Sequence, residues 1–234
     1  MSYSDFVKST FAYTHKKFGL TFNKEECEKI HASLNPVNNQ GIETYDYTQT
    51  VAFNLLKELK DLQHKHDIIH CGYGILNEFV EYMNEFIKYI NLVETLENKL
   101  LASELMLKTE DLDKQLVAIK KEIGDIYYYK TMLLNLLDID QPITDIEWST
   151  GEEGIIVETL ADLIKKFVYY SHELNVPAIK QACFDMDRCF NHVCRKLETS
   201  LPEIIAQNEA KLRKRYPSGT FTSQEAAAKA DTHG

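Results

Sequence analysis

The sequence predicts an all-α protein. Only nine glycines and five prolines occur among 234 residues, too few for the many tight turns of an all-β or α/β chain. Apolar residues recur at intervals of three and four over most of the length, the period of an amphipathic helix. No repeat of fixed period points to a solenoid. With 44% hydrophobic and 11% aromatic residues the chain fills a sizeable core, which excludes a disordered protein. Its length suits one domain: a helical bundle with an extended helical hairpin and extra C-terminal helices, its core at 47–217 and a tail at 218–234.

The elements follow in order. Residues 3–18 and 23–33 read as two short helices, Asn23 capping the second. The run from Asn35 to Gly41 is rich in turn formers. Residues 47–66 resume helical periodicity, with Val51, Leu55, Leu56, Leu59 and Leu62 on one face. A further helix covers 69–90 and continues toward Leu107 through a charged, leucine-bearing stretch. Residues 109–137 make the next helix, rich in apolar residues after Ile123. Pro142 and Gly151 mark 138–154 as the longest loop. Three helices, 155–172, 177–198 and 201–215, complete the chain, and the residues beyond 217 read as a frayed or docking tail.

Charge narrows the function classes. A formal charge of −10 gives no global attraction to nucleic acid or to an anionic membrane. A polyanionic ligand therefore requires metal ions or a local basic patch, and Lys211, Arg213, Lys214 and Arg215 form one. No apolar run reaches transmembrane length, and the first ten residues lack the order of a secretion signal. The cysteines Cys27, Cys71, Cys183, Cys189 and Cys194 are odd in number and irregular in spacing, which points to a reduced, cytoplasmic compartment.

Two acidic pairs carry candidate chemistry: Glu78 with Glu81, and Glu122 with Asp125. Spacing of three places both carboxylates of a pair on one helix face. Around the first helix, Leu76, Val80, Met83 and Ile87 form an apolar stripe, with Glu78, Glu81 and Glu85 opposite. Periodicity reads that as a solvated acidic face. The second helix is apolar almost all round, so Glu122 and Asp125 are expected to be buried and to need a counter-charge. No lysine or arginine follows on their face within a turn. A hard divalent cation fits oxygen ligands of this kind; a buried Glu–Lys network is the alternative.

His64, His66 and His70 lack a third ligand at zinc-like spacing and read as solvated or capping residues. Cys183 and Cys194 share a face, Cys189 does not, and all three read as buried thiols. Tyr127, Tyr128 and Tyr129 read as core.

Three segments together carry a family resemblance. Gly74-Ile-Leu-Asn-Glu78-Phe-Val-Glu81, with Lys88 downstream, is similar to a metal-binding helix with a paired-glutamate motif. Glu122-Ile-Gly-Asp125 is similar to a Glu-x-Gly-Asp signature. Asn208-Glu-Ala-Lys211-Leu-Arg-Lys-Arg215-Tyr-Pro217 is similar to an Asn-x-x-Lys-Leu-x-x-Arg-Tyr-Pro run. In this order the chain resembles the MazG-like nucleoside triphosphate pyrophosphohydrolases of the all-α superfamily, and among them phage-encoded members. The resemblance spans about 74–231. Phe79 and Val80 replace small residues of the first motif, the interval from Glu81 to Glu122 is long, Tyr216-Pro-Ser-Gly-Thr-Phe carries an extra threonine, and Lys229 stands where arginine is common.

The resemblance implies hydrolysis of (deoxy)nucleoside triphosphates to monophosphate and pyrophosphate. Glu78, Glu81, Glu122 and Asp125 would bind Mg2+, with Mn2+ as an alternative. Glu81 or Glu85 would take the proton of the attacking water. Lys88, Asn208, Lys211, Arg215 and Tyr216 would bind the substrate. A homo-oligomer, dimer or tetramer, in the cytoplasm of a bacterium or an infected host is implied as well. A dUTP- or dCTP-specific pyrophosphatase and a non-catalytic helical interaction protein are the competing readings.

Overall fold

A computed structural model describes Tyr3, Asp5 and residues 47–101, 109–144, 146, 152–170 and 172–217. The expected helices at 3–18 and 23–33 lie outside these residues except at Tyr3 and Asp5. So do the turn at 35–41, the stretch 102–107 and the tail. The chain divides into two compact units, residues 12–67 and residues 1–11 with 68–234.

The described residues form five helices and no strand: α1 Tyr47–Leu101, α2 Thr109–Leu136, α3 Glu153–Tyr169, α4 Val176–Lys196 and α5 Leu201–Arg215. The all-α expectation holds. Where two helices were expected at 47–66 and 69–90, α1 runs unbroken for 55 residues. Lys60 to His70 contain neither glycine nor proline, so nothing interrupts the i to i−4 hydrogen bonds there. No helix among the described residues is long and apolar enough to cross a membrane.

Helix ends follow local chemistry. The Asn175 side chain accepts from the Ala178 amide at 3.1 Å to start α4. Ser200 and Glu203 form a reciprocal capping box on α5, satisfying amides that the first turn leaves unpaired. Asp138 and Glu198 adopt positive φ after α2 and α4. The next amides then reach back to Leu134 and Cys194 at 2.9 Å, which closes each helix end.

Within the larger unit, α1 and α2 are antiparallel. Gln115 donates to the Glu85 backbone carbonyl at 2.9 Å near one end, and the Tyr129 ring lies against Gly74 near the other. A Cβ on Gly74 would sit 2.3 Å from that ring, and one on Gly72 would sit 2.7 Å from Ile164 of α3. These two glycines let α1 approach both neighbours closely. Helix α4 packs on α1 and α2 through Phe190, which meets Tyr82 and Tyr127 edge-on. Helix α5 runs parallel to α2, with Asn208 beside Gly124 and Leu212 and Tyr216 against Tyr128.

The inward face of α1 differs from the expected stripe. Ile68, Cys71, Ile75, Phe79 and Tyr82 are buried, whereas Leu76, Val80, Met83 and Ile87 are exposed. The helix carries two apolar stripes of similar spacing, and periodicity alone does not choose between them. The core also holds a buried ion pair: Lys130 and Tyr127 both donate to Asp187 Oδ1. Asp187 is fully buried and its Oδ2 has no partner.

Candidate metal centre

The revised face of α1 changes the position of Glu78. It lies half-buried beside Ile75 and Phe79, and so points toward α2 rather than away from it. Helix α2 is buried nearly all round between Glu122 and Leu134, as its composition predicts. The result is a group of three carboxylates, Glu78, Glu122 and Asp125, whose ligand oxygens all lie within 4.8 Å of one another.

Glu81 and Glu85 stand outside this group. Glu81 is exposed and accepts from Asn77 Nδ2 at 2.8 Å. Glu85 accepts from Lys88 at 2.7 Å and from Gln115 at 2.5 Å, and those two hydrogen bonds hold its carboxyl below the usual range. Lys88 is thereby engaged with Glu85 rather than with the three carboxylates.

Counter-charges are present, although none follows Glu122 on its own helix face. Lys121, the preceding residue, donates to Glu122 Oε1 at 2.7 Å and lies 3.9 Å from Asp125 Oδ2. Lys211 of α5 pairs with Asp125 Oδ1. Asn208 donates to the same oxygen at 2.6 Å. Tyr3 in turn donates to Asn208 Oδ1 at 3.4 Å, so the amide is oriented from both ends. Gly124 makes this possible, because a Cβ there would meet Asn208 Cβ at 2.9 Å. The Glu-x-Gly-Asp run thus has a packing reason for its glycine. Arg215 is exposed over the Tyr216 ring at 5.7 Å, and Tyr216 is buried against Leu212 and Tyr128.

The electrostatics are those of crowded like charges. Burial, then the charges of Asp125, Glu81 and Glu122, push the Glu78 carboxyl up to about 7. Glu122 is also raised: burial leads, Lys121 opposes, and Asp125 and Glu81 add to the rise. Burial acts to lower Lys121, but its hydrogen bond to Glu122 and the surrounding carboxylates raise it on balance. Tyr129 rises to about 12 through burial and the charges of Glu78 and Asp125. Burial also raises Tyr3, with Asp125 contributing.

One atom remains unsatisfied. Glu122 is 5% exposed, and its Oε2 is buried with no hydrogen-bond partner. Leaving such an oxygen bare costs roughly 1–3 kcal/mol or more. Three hard oxygen donors, one of them orphaned, fit a small divalent cation such as Mg2+, which takes few protein carboxylates and completes its shell with water. A groove of about 100 Å3 lies between α2 and α5, lined by Lys120, Lys121, Asn208 and Lys211 among others; Lys121, Asn208 and Lys211 also contact the carboxylates.

Sequence reasoning missed Lys121, Tyr3 and Lys120. Lys121 precedes Glu122 in the chain, outside the following turn in which a partner on the same helix face is expected. His66 Nδ1 is 3.9 Å from Asp67, and His70 packs on Tyr129 with ring centroids 5.9 Å apart. Cys183, Cys189 and Cys194 are buried, as expected, and so is Cys71. No protein-family model matches the chain, and no match was found among curated proteins or solved structures.

Proposed function

We propose that the chain is a magnesium-dependent nucleoside triphosphate pyrophosphohydrolase, a cytoplasmic enzyme of nucleotide metabolism that works as a homo-oligomer. The observation that carries the reading is the orphaned Glu122 Oε2 within a three-carboxylate group. Glu78, Glu122 and Asp125 would hold the ion, with Mn2+ as an alternative to Mg2+. A divalent ion bound there supplies charge neutralisation and a water of lowered pKa.

The chain's own residues do the rest. Lys121 and Lys211 line the groove between α2 and α5 and neutralise phosphate oxygens, with Asn208 donating from the same wall. That groove is small against the ~300–1,000 Å3 of a typical ligand pocket. It receives phosphates, and the nucleoside lies outside it. Glu81 takes the proton of the attacking water, since its charge reaches Glu78 and Glu122 while Glu85 is tied to Lys88 and Gln115. The hydroxyl adds to the α-phosphorus, as the family resemblance implies, and the bond to the leaving pyrophosphate breaks. Arg215, Tyr216 and Lys88 are secondary in this scheme.

A second reading rests on the lysine pairs, which already neutralise much of the carboxylate charge. A helical interaction protein needs no more than that. The two part on one experiment: pyrophosphate release from a panel of ribo- and deoxyribonucleoside triphosphates, dUTP and dCTP included, with and without Mg2+. The enzyme reading expects magnesium-dependent release that Glu122→Gln reduces at least a hundredfold. Absence of release from every triphosphate, or release unaffected by the variant, refutes it.

A further inference from the structure

Two ammonium groups stand where an ion at the carboxylates has to go. Lys121 donates to Glu122 Oε1 at 2.7 Å and lies 3.9 Å from Asp125 Oδ2. Lys211 donates to Asp125 Oδ1. Three of the four oxygens on Glu122 and Asp125 thus have an ammonium group within 3.9 Å. The fourth, Glu122 Oε2, is the buried atom without a hydrogen-bond partner.

Asp125 Oδ1 is also saturated. It accepts from Lys211 and from Asn208 Nδ2, and a carboxylate oxygen has two lone-pair sites. The two donors differ in freedom. Asn208 is 5% exposed, sits tight against Gly124 and is bonded to Tyr3. The Lys211 and Lys121 side chains are 37% and 52% exposed, and their flexible stems let them leave a carboxylate without moving a helix.

Charge decides which arrangement is stable. The three ionised carboxylates against two lysines leave the centre one charge negative. A divalent cation added beside both lysines would make it one charge positive, and like charges this close in a half-buried site repel strongly. Both lysines already line the groove between α2 and α5, together with Lys120. Ammonium groups released into that groove make a site for an oxyanion.

We infer that Lys121 and Lys211 are built-in counter-ions: they hold the carboxylates until a divalent cation replaces them, and then turn to a phosphate in the groove. The inference rests on the ion site proposed above and sets its order of binding, cation before anion. The coupling is reciprocal, since a phosphate that keeps the lysines in the groove raises affinity for the cation by the same factor.

Calorimetric titration of the full chain with Mg2+ alone at pH 8 tests this without a nucleotide. Lys211→Met keeps the aliphatic stem, removes the charge and should bind Mg2+ by about tenfold or more tighter than the wild type. Lys121→Met, reaching the centre from the other helix, should shift the affinity in the same direction and guards against a folding defect in the first variant. Buried Ile204, Ile205 and Leu212 keep α5 docked in Lys211→Met, and an unaltered helical circular dichroism verifies it. Lys166→Met removes an equal charge from a pair with Asp162 on α3 and should change the affinity less than about twofold. Inorganic phosphate should bind the wild type about tenfold or more tighter at saturating Mg2+ than in chelator, and Lys211→Met should lose most of that gain. A Mg2+ affinity unchanged or weaker in either lysine variant overturns the exchange at that lysine while the ion site stands. A phosphate gain that persists in full in Lys211→Met does the same. Absence of Mg2+ binding by all four chains overturns the ion site itself, and the exchange with it.

Discussion

Glu78 concentrates the electrostatic tension of the centre on one side chain. Its carboxyl is raised to about 7 in the folded chain against an ordinary 4.5, by burial and by the neighbouring carboxylates. The sign of the resulting pH dependence follows. Below 4.5 the group is protonated in both states and imposes no penalty. Between 4.5 and 7 the unfolded chain releases the proton first, so stability falls as pH rises, and it levels off above 7. Glu122, raised in the same direction, adds to the fall. In the absence of divalent ions, Glu78→Gln should match the wild type near pH 4 and exceed it at pH 8. After allowance for solvent screening the gain is roughly 1–2 kcal/mol. Urea unfolding at the two pH values in chelator reads this directly, and a variant that is less stable at pH 8 would contradict the crowding described here.

At the scale of elements, close helix approach decides where the carboxylates point. Gly72, Gly74 and Gly124 each sit where a Cβ would strike a neighbouring helix. Gly124→Ala pushes against Asn208, whose amide orients Asp125, and should cost about 1–3 kcal/mol as an overpacking change. Gly154 is the contrast: a Cβ there meets Phe79 at an ordinary 3.8 Å, so Gly154→Ala in the first turn of α3 should be neutral or stabilising by up to about 1 kcal/mol from helix propensity. Thermal melts of the two variants should separate clearly. Two equal responses would mean that α5 moves aside without cost.

Over the whole molecule, an ion held by the three carboxylates would couple binding to folding. A ligand that binds only the folded chain stabilises it by about 2.7 kcal/mol at a hundredfold excess over its Kd. Millimolar Mg2+ should therefore raise the melting temperature of the wild type, at low ionic strength and at pH 8, where Glu78 is ionised. Glu122→Gln should abolish the rise, since it removes the charge beside the orphaned oxygen. A melting temperature indifferent to Mg2+ would favour the lysine-neutralised interaction protein. The same measurement separates the two readings without choosing a nucleotide.

The sequence by itself determined the helical class, the ends of α2 and α5 to within a residue, and the burial of Glu122, because these depend on local spacing, caps and composition. It also singled out Asn208, Lys211 and the Glu-x-Gly-Asp run, which come together at Asp125. The merger of the 47–66 and 69–90 segments into α1 was also legible, since no glycine or proline breaks the run between them. Three things were decided only by tertiary structure. Helix α1 turned Ile75 and Phe79 inward instead of Leu76 and Val80, because Gly72 and Gly74 let α3 and α2 approach on that side. That choice brought Glu78 to the carboxylate group and left Glu81 in solvent. Lys121 and Lys211 became the counter-charges, a pairing set by where long side chains from two helices can reach, which no spacing along one helix records.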